Sequence, residues 1–208
     1  MIETFTYERQ IPSRTERRCG AAALCMVLRD FGIDALQEQI WDEMKTPVPE
    51  KPNTFRIDTY RLATFAIKCG INAIVGRLRK PLAFLEKLRS ERGYRLILNH
   101  RIRADSPLGH FTVFTKMETS DQTIFLHDPQ KGPNRKISWA ELANLWKPVG
   151  ENCEISGYVG VLFFRTDLDH LSDAIHWSMT FDPTTGLRVD SIIGSTSPFD
   201  KSPESVWS

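Results

Sequence analysis

Apolar positions recur with a helical period through the first third of the chain and with a strand-like period after it. Leu24, Val27, Leu28 and Phe31 fall at i, i+3, i+4 and i+7 and predict a helix over about 19–31, ended by Gly32 at the C′ position. Leu36, Ile40 and Trp41 predict a second helix within 35–44. Pro47, Pro49 and Pro52 then make an extended loop over 45–53. A third helix is expected over about 57–69, where Leu62, Phe65, Ala66 and Cys69 keep the period and Gly70 ends it. From Ile71 the pattern changes. A strand is expected over 71–78, and Pro81 opens a short helix to about 92 that buries Leu82, Leu85 and Leu88. Strand-like runs follow at 95–99, 110–115 and 123–127, and the polar segment 118–122 makes the last two an antiparallel hairpin. Ser138, with Glu141 three residues on, starts a helix that runs to Trp146 before Pro148, and 157–164 reads as a buried strand. Helices followed by a mainly antiparallel sheet give an α+β fold. Residues 1–166 are expected to form one domain. Beyond Asp167 the apolar period is lost, and 167–208 reads as a tail with a short helix at about 168–177 and irregular chain after it.

Composition narrows the function classes. Among the 208 residues, 41% are hydrophobic, enough for a sizeable core. The formal net charge of +1 gives no general attraction to nucleic acid or to an anionic membrane. No run reaches the roughly 18 apolar residues of a membrane span, and the polar start Met1-Ile2-Glu3-Thr4 lacks a signal-peptide pattern. The expected location is therefore the cytoplasm. There the four cysteines, Cys19, Cys25, Cys69 and Cys153, stay reduced without disulfides, Cys25 and Cys69 as buried thiols. None of the five histidines has metal-ligand spacing, so neither a metal nor another cofactor is expected.

The chemistry is expected at Cys19. It stands at a helix start, where unpaired N–H groups and the helix dipole favour a thiolate, and Arg17 and Arg18 add positive charge. A cysteine nucleophile needs a base and an orienting group, both commonly remote in sequence. His110 opens one strand of the proposed hairpin and Asp128 ends the other, so adjacent strand ends bring the two together. His127 points to the opposite face of its strand and ranks below His110 as the base, as does His100. The alternative reading makes Cys19, His110 and Asp128 ordinary packing and turn residues. The charged runs Arg101, Arg103, Asp105 and Lys131, Arg135, Lys136 read as solvated loops, the alternative being loops that flank the cleft and meet an acidic peptide or a partner, and Trp139 and Trp146 read as core anchors rather than binding platforms.

The segments Cys19-Gly20-Ala21-Ala22-Ala23-Leu24-Cys25-Met26-Val27-Leu28, Gly109-His110-Phe111-Thr112-Val113 and His127-Asp128-Pro129-Gln130-Lys131-Gly132 resemble the papain-like cysteine peptidases that cut double-glycine leaders from bacteriocin precursors. The resemblance covers about 5–165 and keeps the order of the motifs. It implies a papain-like fold, a helical part carrying the nucleophile packed on an antiparallel sheet. It also implies Cys19 as nucleophile, His110 as general base and then acid, Asp128 as the group that orients it, and a glutamine that donates to the oxyanion. Gln10 is the candidate for the last role, although the family carries it nearer the cysteine, at the position Ser13 fills here. The implied partners are a peptide or protein substrate and a separate exporter or biosynthetic enzyme, with no nucleic acid. Acyl or peptidyl transfer on the same fold, and peptide or partner binding without turnover, are the alternatives.

Overall fold

The computed structural model describes residues 6–13, 15–49, 51–78, 80–88, 91, 93–147, 157–165, 175–182 and 186–192, the last two segments as backbone only. Three helices come first: α1 (Cys19–Asp30), α2 (Gln37–Met44) and, after a two-stranded ribbon of β1 (Thr46–Pro47) and β2 (Phe55–Arg56), α3 (Thr59–Lys68). The chain continues through β3 (Asn72–Leu78), α4 (Pro81–Leu88), β4 (Tyr94–Arg101), β5 (Gly109–Glu118), β6 (Thr123–Asp128), β7 (Gly132–Ser138), α5 (Trp139–Trp146) and β8 (Val159–Phe164). It closes with β9 (Ile175–Asp182) and β10 (Gly186–Ile192). The large sheet has the order β10-β9-β3-β8-β4-β5-β6-β7, antiparallel throughout.

Helices cover this sheet on both faces. One core joins α1, α2 and α3 to Ala73, Val75, Ile97, Phe111, Val113, Val161 and Phe163. The other joins α4 and α5 to Ile74, Leu96, Leu98, Phe114, Leu126 and Leu162. Residues of β3, β4 and β8 therefore alternate between two apolar layers, and these strands read as continuous hydrophobic runs rather than as an apolar–polar alternation. Where β8 pairs with β4, Gly160 leaves no room for a side chain. A Cβ on Gly160 would lie 2.9 Å from the Ile97 carbonyl oxygen.

Most expected elements are present, and the differences have physical reasons. Leu36 is 59% exposed, because α2 begins one residue later and Gln37 takes the buried position. The proline loop holds the short pairing Thr46↔Arg56 and Pro47↔Phe55. Cys69 is the C-cap residue of α3 and only half-buried. Ser138 caps α5 as expected, accepting from Glu141 N–H. Trp146 is buried and donates to the Val159 carbonyl at 2.8 Å, whereas Trp139 is half-buried at the edge of that core. Arg101 is not a solvated loop residue. It is buried and donates to the carbonyls of Ala104, Asn144 and Leu145, so it anchors the end of α5. The expectation of irregular chain after about 177 is corrected by β9 and β10, which extend the sheet from β3 and place 175–177 in a strand. Cys153, Pro148 and His170 lie outside the described residues.

Candidate active site

The site forms where the start of α1 meets the beginning of β5 and the end of β6. Cys19 is the first residue of α1 and is 7% exposed. Gly20 is what lets that helix end approach the sheet. A Cβ there would stand 3.1 Å from Phe111 Cδ2 and 3.4 Å from Ile57 Cβ. The Cys-Gly pair thus places a thiol at a helix start that packs tightly on β5, where any larger residue at position 20 would press on Phe111. The register that sets Val113 opposite His127 brings Asp128 diagonally across from His110.

The three expected residues come together. His110 donates from Nε2 to Asp128 Oδ1 at 2.8 Å, and its ring also acts on the Cys19 thiol, lowering that thiol's pKa. Oδ1 also accepts the N–H groups of Gln130 (3.0 Å) and Lys131 (3.1 Å), and Oδ2 accepts Arg135 at 3.1 Å. Arg135 in turn lies 3.5 Å from Glu141 of α5. The carboxylate is fully buried yet holds four donors.

These contacts set the charges. Burial disfavours the Asp128 carboxylate, but the His110 hydrogen bond and charge and the two backbone N–H groups hold its pKa below the usual carboxylate range. Burial alone would also lower the His110 pKa. The hydrogen bonds to Asp128 and Cys19 outweigh it and push that pKa up to about 9. For Cys19, burial opposes the thiolate, but the His110 hydrogen bond and charge, with the N–H groups of Phe111 and Gly20, bring the pKa below the ordinary thiol value. A thiolate and an imidazolium are thereby favoured together.

The other histidines are engaged elsewhere. His100, directly across from His110 in the β4–β5 register, donates from Nδ1 to the Arg101 carbonyl at 2.8 Å. Its Nε2 takes the Thr112 hydroxyl at 3.1 Å. Burial and the neighbouring His110 charge push its pKa down to about 3, so it stays neutral and has no nitrogen left to act as a base. Its ring stands edge-on to His110 with centroids 5.6 Å apart. His127 Nδ1 accepts the Asn134 N–H at 3.1 Å. Cys25 is buried with its thiol on the Ala35 carbonyl, and desolvation pushes its pKa up to about 11, which disfavours its thiolate.

Gln10 lies in an irregular segment tied to the Asp128 turn. Its N–H donates to the Pro129 carbonyl at 3.0 Å, and the Tyr7 hydroxyl donates to the Asp128 carbonyl at 3.1 Å. Gln37, 1% exposed, grips the chain on both sides of Gln10. Its Oε1 accepts Ile11 N–H at 2.7 Å and its Nε2 donates to the Arg9 carbonyl at 2.9 Å. Gln10 is itself half-buried, and among the described residues its side-chain amide has no hydrogen-bond partner. The sequence reading missed Gln37 and Arg135. Gln37 acts on a segment remote from its own element, and Arg135 reaches Asp128 across the β6–β7 hairpin, whose second strand has no apolar alternation to mark it.

Beside the thiol is a small pocket of about 40 Å³, lined by Arg17, Cys19, Arg56, Ile57, Asp58, Asn99, Gly109 and Phe111. The described residues contain no cluster suited to a metal ion and no helix long and apolar enough to cross a membrane.

Comparison with known proteins agrees with this architecture. The peptidase domain of Streptococcus ComA, a bi-functional ABC transporter involved in a quorum-sensing pathway, superposes with a TM-score of 0.57 at 15% identity. The match covers 78% of this chain and 99% of that one, and it shows a shared fold. No curated protein matches this chain. The model of the Peptidase C39 family matches residues 8–150. The chain belongs to that family and is a cysteine peptidase.

Proposed function

We propose that this protein cleaves a peptide bond through Cys19, His110 and Asp128, releasing a leader peptide after small residues. The observation that carries the reading is the His110 Nε2–Asp128 Oδ1 hydrogen bond, to a carboxylate held by four donors, with the Cys19 thiol within the electrostatic influence of the same imidazole. In this reaction the Cys19 thiolate attacks the scissile carbonyl carbon. The His110 imidazolium gives its proton to the leaving amine as the C–N bond breaks, and a thioester remains. Neutral His110 then takes a proton from water, whose oxygen attacks the thioester. His110 keeps that proton as the thiolate departs with the acid product, which regenerates the thiolate–imidazolium pair. Asp128 holds the ring in the tautomer that presents Nδ1 to sulfur and stabilises the imidazolium.

The developing oxyanion needs donors. The start of α1 supplies backbone N–H groups with no helical partner, and Gln10 is the proposed side-chain donor. Its main chain is fixed by Pro129 and Gln37 while its amide has no partner among the described residues, which is what a donor waiting for substrate requires. The narrow pocket beside Cys19 favours small side chains next to the cleaved bond. Precursor peptides with a double-glycine stretch test the proposal. Mass spectrometry should show cleavage after the second glycine by the wild-type protein and none by Cys19→Ala; equal cleavage by both proteins would overturn it.

A further inference from the structure

Of the two arginines before the nucleophile, only Arg18 is used by the fold. It pairs with Glu16 at 2.7 Å and lies over the Trp41 ring at 5.2 Å. Arg17 is different. Its N–H donates to the Phe55 carbonyl, which fixes its backbone, but among the described residues its guanidinium has no hydrogen bond or ion pair. It is half-buried and lines the pocket beside Cys19. The second cation of that pocket, Arg56, is already neutralised by Asp58 at 2.9 Å. The pocket thus carries one uncompensated positive charge, on a group whose planar donors match a carboxylate.

We infer that Arg17 forms an anion-binding subsite that receives a carboxylate of the substrate beside the scissile bond. This rests on the peptidase reading for its biological meaning, but the charge selectivity of the pocket can be measured without turnover. Iodoacetate and iodoacetamide alkylate the same thiol and differ in one carboxylate. The ratio of their rates at Cys19 therefore cancels the thiol's own reactivity, and peptide mass spectrometry separates Cys19 from the other cysteines. Arg17→Gln should lower the iodoacetate-to-iodoacetamide ratio about fivefold, and Arg17→Glu further, as expected for one nearby charge in a partly solvated site. The double variant Arg56→Gln/Asp58→Asn removes the already neutralised pair without changing the net charge and should move the ratio less. An unchanged ratio in Arg17→Gln, or an equal drop in the double variant, would overturn the subsite. Slow alkylation of wild-type Cys19 by both reagents would instead count against the peptidase reading, while the ratio still reports on Arg17.

Cleavage profiling on a proteome-derived peptide library identifies the carboxylate. Asp or Glu enriched at one position beside the cleaved bond, and lost in Arg17→Gln, assigns an acidic side chain. Cleavage at a fixed distance from the C-terminus, abolished by amidation, assigns the chain end. Cleaved sites with neither feature would overturn the subsite.

Discussion

His110 Nε2 and Asp128 Oδ1 are joined at 2.8 Å, and that same oxygen receives two further N–H groups from the turn that follows it. The carboxylate is therefore oriented before the histidine uses it. The turn Asp128-Pro129-Gln130-Lys131 is as much a part of the site as the side chain it carries.

Exchanging Asp128 for Asn keeps the shape but removes the charge. An amide has one acceptor, so if its oxygen stays on His110 its NH₂ faces Arg135, donor against donor. His110 should lose much of its upward shift, and the alkaline limb of the pH–rate profile should move down from about 9. Because Cys-His-Asn sites operate on this principle, the loss in rate should fall well short of the ~10⁴ seen when a serine triad loses its Asp. An unmoved alkaline limb would mean that Asp128 does not set the His110 charge. Stability has the same sign: the His110 contribution is fully present below 6.5 and fades as pH rises through about 9, which urea midpoints across that range will show.

His100 and His110 face each other but have separate roles. His110→Ala should cost about 10²–10⁴ in turnover, the usual weight of a general acid–base group. His100→Gln should retain activity within about tenfold and leave the pH profile unchanged, since a histidine held near pKa 3 does not titrate in the working range. Steady-state kinetics on the two variants separates them. A His100 variant as impaired as the His110 variant would reverse the assignment.

Gln10→Ala should lower kcat by about 10²–10³ with little change in KM, the pattern of a donor that acts mainly on the transition state. Gln37→Ala should give part of that loss by freeing the backbone on either side of Gln10. If Gln10→Ala retains full kcat, the oxyanion is held by other donors.

Gly20→Ala sets helix propensity against packing. Alanine gains roughly 0.5–1 kcal/mol inside a helix, but its methyl would press on Phe111 at 3.1 Å, and overpacking of this kind costs about 1–3 kcal/mol. Phe111 is buried and directly follows His110, so it has little room to yield. Thermal denaturation should show a net loss of about 1 kcal/mol, with a larger proportional loss of activity as Cys19 and His110 move apart. A stabilised variant with full activity would show that the approach of α1 to β5 is looser than described.

What the chain reveals locally and what it conceals follow from the same physics. The helix of Cys19 is legible because its apolar residues repeat at the helical period. The meeting of His110 and Asp128 is legible because hairpin register follows from short-range pattern. The β7 segment Gly132–Ser138 escapes, since it forms the sheet edge with mostly exposed polar side chains and offers no alternation to read. With it go Arg135 and the second half of the grip on Asp128. Gln37 and Arg101 look like surface residues in sequence. They are buried because each satisfies backbone groups of a distant segment, a reason that exists only in three dimensions. The β9–β10 hairpin lacks a clear apolar period, and its place is set by the free edge of β3.

The central claim is that Cys19 is held as a thiolate by His110. Its most direct test is the pH dependence of Cys19 alkylation by iodoacetamide, read site by site in the wild-type protein and in His110→Ala. The rate should rise at lower pH than for an ordinary thiol and pass to a second plateau as His110 loses its proton near 9, and His110→Ala should abolish that low-pH reactivity. A wild-type rate that rises only with an ordinary thiol pKa of about 8.5, indifferent to His110, would contradict it.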